Sequence, residues 1–290
     1  MLYVVNYADG QPFEKYRKFC TKSAYWFGHA DEVIEYTKKD IPQSYIDSHK
    51  NIFAYKRGAG LWLWKSYIVN KTLLSMKDGD WMFYTDGGSI FIRNIHKLIK
   101  CAKINNTDIM LFEQPLLHRQ FTKKETMMIM NVEDRNENQT LGIFLLQKTP
   151  HTIALMQEWL SCCEQEELIS PKHFHDEVSE YDDFVTHRED QSILSALRLK
   201  YSITPFRDPS DYGEFPYMYA SAQWKYCPKQ YDNSFYKTTV LCNRKRNPFV
   251  YLLSYYIKHI LNKLGIYYTE EIFLDKLGVK KHNTNENSNF

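Results

Sequence analysis

Asp86 is the residue of this sequence best placed by its neighbours to do chemistry. It follows the apolar run Trp81-Met82-Phe83-Tyr84 and precedes Gly87 and Gly88. Four apolar residues bounded by turn formers read as a short buried strand. The two glycines let the backbone turn sharply and approach a ligand closely. A carboxylate at the carboxyl end of a buried strand stands where open α/β sheets bind their ligands. It could hold a divalent cation, which takes oxygen ligands and keeps several waters, or it could only cap a turn. Asp78 and Asp80 stand at the other end of the run, and at ~3.3 Å per residue they are too far away to share such an ion.

A second polar group is His187-Arg188-Glu189-Asp190-Gln191-Ser192, ahead of the apolar residues Ile193 and Leu194. Glu189 and Asp190 suit the positive end of a helix, and Glu189 would also serve as a base or nucleophile. A third is Asn6-Tyr7-Ala8-Asp9-Gly10, where Asp-Gly is a turn signal. A fourth is the glycine-flanked basic loop Lys56-Arg57-Gly58-Ala59-Gly60, followed by Lys65. His173, His175 and His187 lie among Asp176, Glu177, Glu180, Asp182 and Asp183, a spacing that matches no standard zinc pattern. That segment is expected to be a solvent-facing loop, with His187 as an outside candidate for a metal ligand.

The elements that must hold these groups alternate. Leu2–Tyr7 reads as a first, central strand, residues 13–27 as a helix with one buried face, and residues 31–36 as a second strand, a β-α-β opening that argues for a parallel sheet. Residues 61–74 read as a helix, 92–102 as another, 109–112 as a strand, and 150–163 and 190–199 as helices. At the C-terminus, Phe249, Leu252, Leu253, Tyr256, Ile257, Ile260, Leu261 and Leu264 recur at helical spacing. This stripe is expected to pack on the body. The competing expectation is shallow docking on a membrane, helped by Arg244, Lys245, Arg246, Lys258 and Lys263. The chain divides on this basis into a main domain over 1–243, an amphipathic helical segment over 244–279 and a disordered tail over 280–290.

Composition narrows the class. With 290 residues, 43% hydrophobic and 25% charged, the chain is long enough for one large α/β domain with an appendage. A net charge of +2 provides no broad basic field, so no nucleic acid partner is expected. The six cysteines are scattered without a CxxC, as in reduced cytosolic proteins. The N-terminus lacks the pattern of a signal peptide, and no run of ~18 apolar residues reads as a membrane span. A cytoplasmic protein, peripheral on the inner face of the membrane if the C-terminal helix docks there, is the expectation.

Two blocks carry a family resemblance. Arg57-Gly58-Ala59-Gly60-Leu61-Trp62-Leu63-Trp64-Lys65 and Tyr84-Thr85-Asp86-Gly87-Gly88 resemble the R-G-x-G-x-W-x-W-K and Y-x-D-x-G blocks of a bacterial group of nucleotide-diphospho-sugar transferases, over about residues 1–215. The strand-end acid is similar to the D-x-D motif of GT-A-fold glycosyltransferases. Asp190-Gln191 is similar to the D-Q segment of retaining transferases of the lipopolysaccharide-galactosyltransferase and glycogenin kind. The resemblance implies a GT-A-like, Rossmann-type mixed sheet, mostly parallel and flanked by helices, with a C-terminal helical appendage. It implies transfer of a sugar from a nucleotide-sugar donor to a glycan or lipid-linked acceptor in bacterial surface polysaccharide assembly. By resemblance, Asp190 contacts donor hydroxyls and Gln191 lies near the reacting face. Tyr7 and Asp9 receive the nucleotide, Arg57 and Lys65 the diphosphate, and Asp86, Gly87 and Gly88 line the donor site, with Mn2+ or Mg2+ on Asp86. Gly88 stands where the motif has its second acid. Two alternatives stay open: a non-catalytic nucleotide-sugar or glycan-binding module on the same fold, and a nucleotidyltransferase that releases pyrophosphate.

Overall fold

The computed structural model describes residues 1–243, 246–265 and 269–281. Arg244 and Lys245 of the expected basic patch, and residues 282–290 of the expected tail, lie outside the described residues. Strand β1 (Leu2–Tyr7) leads through helix α1 (Phe13–Trp26) to β2 (Glu32–Tyr36). Helix α2 (Leu63–Ser75) precedes β3 (Trp81–Tyr84) and the short β4 (Ser89–Phe91). Helix α3 (His96–Ile104), β5 (Ile109–Leu117), β6 (Asn138–Gln147), α4 (Pro150–Cys163), α5 (Glu189–Lys200) and β7 (Phe206–Arg207) follow. The chain closes with β8 (Val240–Cys242) and α6 (Pro248–Lys263), then a helix over Glu270–Leu277.

Among the described residues the main sheet runs β2-β1-β3-β6-β5-β7. Only β6 is reversed: it pairs antiparallel with β3 and β5, while β1 is parallel to β2 and β3, and β5 to β7. This is the mixed, mostly parallel sheet with helices on both faces that the resemblance implies. Strand β1 is interior, with Val4 opposite Val33 on one side and Phe83 on the other. Alternation sorts the strands into two cores. Val5, Tyr84, Leu111 and Phe144 meet Ile68, Trp159 and Ile193 of α2, α4 and α5 on one face. Leu2, Val4, Phe83 and Phe112 meet Cys20, Ala24 and Leu98 of α1 and α3 on the other.

The structure departs from the sequence-based elements in three places. Residues 89–91 form a strand that pairs with β8, and the following helix begins only at His96. β5 runs on to Leu117 through Pro115, its register with β6 shifting past Leu111 and again past Glu113. The helix expected from residue 61 begins at Leu63, because Gly58, Ala59, Gly60, Leu61 and Trp62 all have φ between 51° and 97°. Leu61 N–H donates to Arg57 C=O (2.9 Å) and Trp62 N–H to Gly58 C=O (3.2 Å), so the segment is one turn of left-handed helix. Such a turn costs about 1–2 kcal/mol for each residue with a Cβ. Two of the five are glycines, and a Cβ on Gly58 would meet the Trp62 ring at 2.2 Å.

Gly58→Ala is therefore expected to lower stability by about 2 kcal/mol or more, and Ala59→Gly to leave it level or raise it by up to about 1 kcal/mol. Urea denaturation of both variants checks this. A Gly58→Ala protein as stable as the parent would mean that the turn is not under steric control.

Candidate active site

Topology determines where a ligand can enter. From β1 the chain passes to β2 on one side and, through α2, to β3 on the other. Such a switch point opens a crevice at the carboxyl ends of β1 and β3. Tyr7 ends β1, and exposed Asp9 follows it. Asp86 lies two residues past β3, exposed, in a turn closed by Ser89 N–H donating to Asp86 C=O at 3.0 Å. Gly87 is buried at this turn, where a Cβ would come within 2.8 Å of the Tyr7 carbonyl oxygen.

On one face of the sheet the first two residues of α5 meet the start of α2 and the residue ahead of its left-handed turn, Asp190 facing Lys65 and Glu189 facing Arg57. Lys65 and Asp190 are both buried, with Nζ 2.8 Å from Oδ2. Burial opposes the Lys65 ammonium, but Asp190 and then Asp86 outweigh it and raise its pKa. Burial also raises the Asp190 carboxyl; Lys65 offsets part of this, and the charge of Asp86 adds to it. Asp86 and Asp190, far apart in sequence, thus act on the same ammonium. The room for that ammonium comes from Gly142 on β6, where a Cβ would sit 3.2 Å from Lys65 Nζ. Gln191 is partly exposed, and its amide donates to Thr140 C=O at 2.6 Å. The Asp190 carbonyl accepts from Trp159 Nε1 at 2.9 Å, which pins the α5 start to α4.

Glu189 is buried and holds a φ of +42°. Backbone outside the usual regions costs of order 1–3 kcal/mol and persists where surrounding contacts impose it. Arg57 Nε lies 2.6 Å from Glu189 Oε1, yet burial lifts the Glu189 pKa from 4.5 to about 7, with Arg57 opposing and Asp190 adding. The close contact and the raised pKa are reconciled by exposure. The Arg57 side chain is 52% exposed, so water screens its charge while the carboxyl stays desolvated.

Two contributors were not singled out from the sequence. Trp64 stacks on Tyr7 (3.7 Å between ring centroids, 19°) and donates to Gly58 C=O at 2.9 Å, so the left-handed turn and the aromatic wall form one unit. The Tyr84 hydroxyl is buried without a hydrogen-bond partner among the described residues, and the charges of Asp86 and Asp190 push its pKa further up after burial has raised it. The residue was legible in the apolar strand and at the head of the Y-x-D-x-G block, but neither pattern reveals that its hydroxyl is buried without a partner.

A two-acid metal seat does not fit the strand end. A Cβ on Gly88 would stand 2.3 Å from the Asn243 carbonyl oxygen, so a second acid cannot follow Asp86 at that spacing. Among the described residues, Glu125, Glu167 and His175 have ligand atoms within 4.8 Å of one another and could hold a metal ion. The Lys123 ammonium already lies 3.1 Å from Glu125 Oε2, supplying part of that positive charge. His187 is not a solvent-facing ligand. It is buried, its Nδ1 accepts from Lys123 N–H at 3.2 Å, and burial holds its imidazole well below the usual range, hence neutral.

The raised Glu189 pKa sets a pH dependence. The folded state binds a proton that the unfolded chain releases near 4.5, so this contribution is complete below pH 4.5 and is lost as pH rises through about 7. Glu189→Gln should remove that slope. Its stability relative to the parent should improve by on the order of 3 kcal/mol between pH 4.5 and 8, measured by urea unfolding across pH. Parallel stability curves for the two proteins would refute the raised pKa.

No protein-family model matches the sequence, and no curated protein matches it. Among solved structures the chain is similar to mouse xyloside xylosyltransferase 1 in its apo form, at 10% identity over 85% of this chain and 100% of that one, with a TM-score of 0.45. It is similar to the galactosyltransferase LgtC in complex with donor and acceptor sugar analogues, at 15% identity over 85% of this chain and 87% of that one, with a TM-score of 0.42. It is also similar to the apo-form glycosyltransferase GlyE of Streptococcus pneumoniae TIGR4, at 14% identity over 94% of this chain and 62% of that one, with a TM-score of 0.40.

Proposed function

We propose that this protein is a glycosyltransferase that moves a sugar from a nucleotide diphosphate to a glycan or lipid-linked acceptor in bacterial surface polysaccharide assembly. The observation behind this reading is the buried Lys65–Asp190 pair at the sheet's switch point, with Asp86 at the end of β3 adding its charge to both partners. Tyr7, backed by Trp64, offers a ring face to a nucleobase, and exposed Asp9 accepts from base or ribose. Arg57, half-exposed and mounted on the left-handed turn, meets the diphosphate. Lys65, expected at first to do the same, is better understood as the group that fixes Asp190. Asp190 then accepts from donor hydroxyls, and Gln191 borders the reacting face. Glu189, titrating near neutrality, suits a group that gives or takes a proton. Manganese or magnesium would find one carboxylate at the strand end, Asp86.

Thermal shifts with a panel of nucleoside diphosphates, with and without manganese, test the donor site. A diphosphate at ~100 times its Kd adds about 2.7 kcal/mol. Donor hydrolysis and transfer test the chemistry. Asp86→Asn, at an exposed side chain, should lower turnover about a hundredfold while stability stays within about 0.5 kcal/mol. Asp190→Asn strands the Lys65 ammonium and should cost about 3 kcal/mol as well as activity. The double variant Lys65→Met/Asp190→Leu should regain stability and remain inactive. Diphosphate binding with no turnover of any donor would favour the binding module, and release of pyrophosphate the nucleotidyltransferase.

A further inference from the structure

Helix α6 is turned inside out relative to an ordinary surface helix, which faces water with its polar side. Three of its polar side chains face the body: Tyr251 Oη donates to Asp211 Oδ2 (2.6 Å), Tyr255 Oη to Glu214 Oε2 (2.7 Å), and His259 pairs with Glu214, while Ser254, Asn262 and Lys263 are exposed. Its aliphatic side faces out. Phe249, Leu253, Ile257, Ile260 and Leu264 are between 49% and 68% exposed. At 3.6 residues per turn, with Val250 and Tyr256 at the margins, they fill an arc of about 120° with no polar residue in it. The stripe expected to pack on the body is therefore mostly outside it. A contiguous exposed apolar patch marks an interaction surface.

The neighbouring helix supplies the charge. Lys15, Lys18 and Lys22 are exposed and recur at i, i+3 and i+7 along α1, and Trp26 continues that row one turn further on, 67% exposed. The Phe19 ring of α1 packs edge-on against Phe249 (5.0 Å, 78°), so the two helices present one surface. The three lysines line a shallow depression with Asn247, Pro248 and Phe249, and no acidic side chain lines it. An aliphatic ridge with lysines and a tryptophan beside it is the pattern of a helix lying in the interface of an anionic bilayer. Among the described residues no helix is long and apolar enough to cross one.

We propose that α1 and α6 dock this protein on an anionic lipid bilayer. The α6 ridge enters the boundary between headgroups and acyl chains, Lys15, Lys18 and Lys22 meet the headgroup phosphates, and Trp26 lies at the interface. This does not rest on the transferase reading, because docking is measured without turnover. In flotation assays the full chain should bind vesicles of phosphatidylcholine with about 30% phosphatidylglycerol far better than phosphatidylcholine alone, and less at about 0.5 M than at about 0.05 M salt. Lys15→Gln/Lys18→Gln/Lys22→Gln should weaken partitioning roughly a hundredfold, about fivefold per lysine. Leu253→Asp/Ile257→Asp should abolish it with an unchanged thermal melt, since both side chains are already exposed. Failure to float with anionic vesicles overturns the proposal, as does flotation indifferent to both variants. Self-association in ultracentrifugation, lost in Leu253→Asp/Ile257→Asp without any lipid binding, would instead assign the ridge to a second copy of this chain.

Discussion

The buried pair of Lys65 and Asp190 is the constraint on which the site depends. Two charges removed from water cost several kcal/mol each unless each meets the other in good geometry. The pair forms at 2.8 Å only if the starts of α2 and α5 face each other at the sheet. A cation in the first turn of α2 is unfavourable against that helix's own dipole, whereas Asp190 in the first turn of α5 is favourable. The carboxylate thus stabilises an ammonium that the helix alone would reject. Because neither partner is tolerable without the other, the pair ties α2, α5 and β6 into one arrangement beside Asp86.

The left-handed turn at residues 58–62 serves the same arrangement. An ordinary helix running from Arg57 through Lys65 would direct Arg57, Trp64 and Lys65 by a 3.6-residue period. Reversing the hand for one turn breaks that period. Arg57 is left half-exposed against Glu189, Trp64 is folded back onto the Gly58 carbonyl and the Tyr7 ring, and Lys65 is driven inward. The strain at Ala59, Leu61 and Trp62 is balanced by burial of Leu61, Leu63 and Trp64 in the first core. Glu189, also in the left-handed region, faces this turn. Left-handed backbone at Ala59, Leu61 and Trp62 thus stands on one side of the Arg57–Glu189 contact and Glu189 on the other.

Much of this was legible in residue types, and the rest depended on contacts that no local pattern encodes. Strand alternation and strand-end acids made β1, β3 and Asp86 readable, and an acidic helix start did the same for Glu189 and Asp190. The partnership of Asp190 with Lys65 was not readable, because a lysine close after a glycine-flanked basic loop looks like a phosphate ligand until its burial is known. Leu61 and Trp62 carry helix-compatible side chains, and only the glycines at 58 and 60 hinted at the reversed hand. β4 was hidden because its partner, β8, lies some 150 residues away. Periodicity revealed the stripe on α6 but not which side turns inward. That was decided by Asp211 and Glu214, whose carboxylates accept from Tyr251 and Tyr255.

The missing second acid and the C-terminal helix have one structural origin. Ser89 of β4 is paired with Cys242 of β8, so the residue before Ser89 and the residue after Cys242 are brought together. Gly88 and Asn243 meet so closely that a Cβ would stand 2.3 Å from the Asn243 carbonyl oxygen. Buried Asn243 is itself fixed, its side chain accepting from Arg246 N–H (3.0 Å) and donating to Arg246 C=O (2.8 Å) just ahead of α6. An aspartate at 88 would have to push this backbone aside, opening the β4–β8 pair and moving the start of α6. The acid content of the cleft is thus coupled to how the C-terminal segment is seated. A chain that keeps α6 against its body in this way is confined to a single carboxylate at the end of β3.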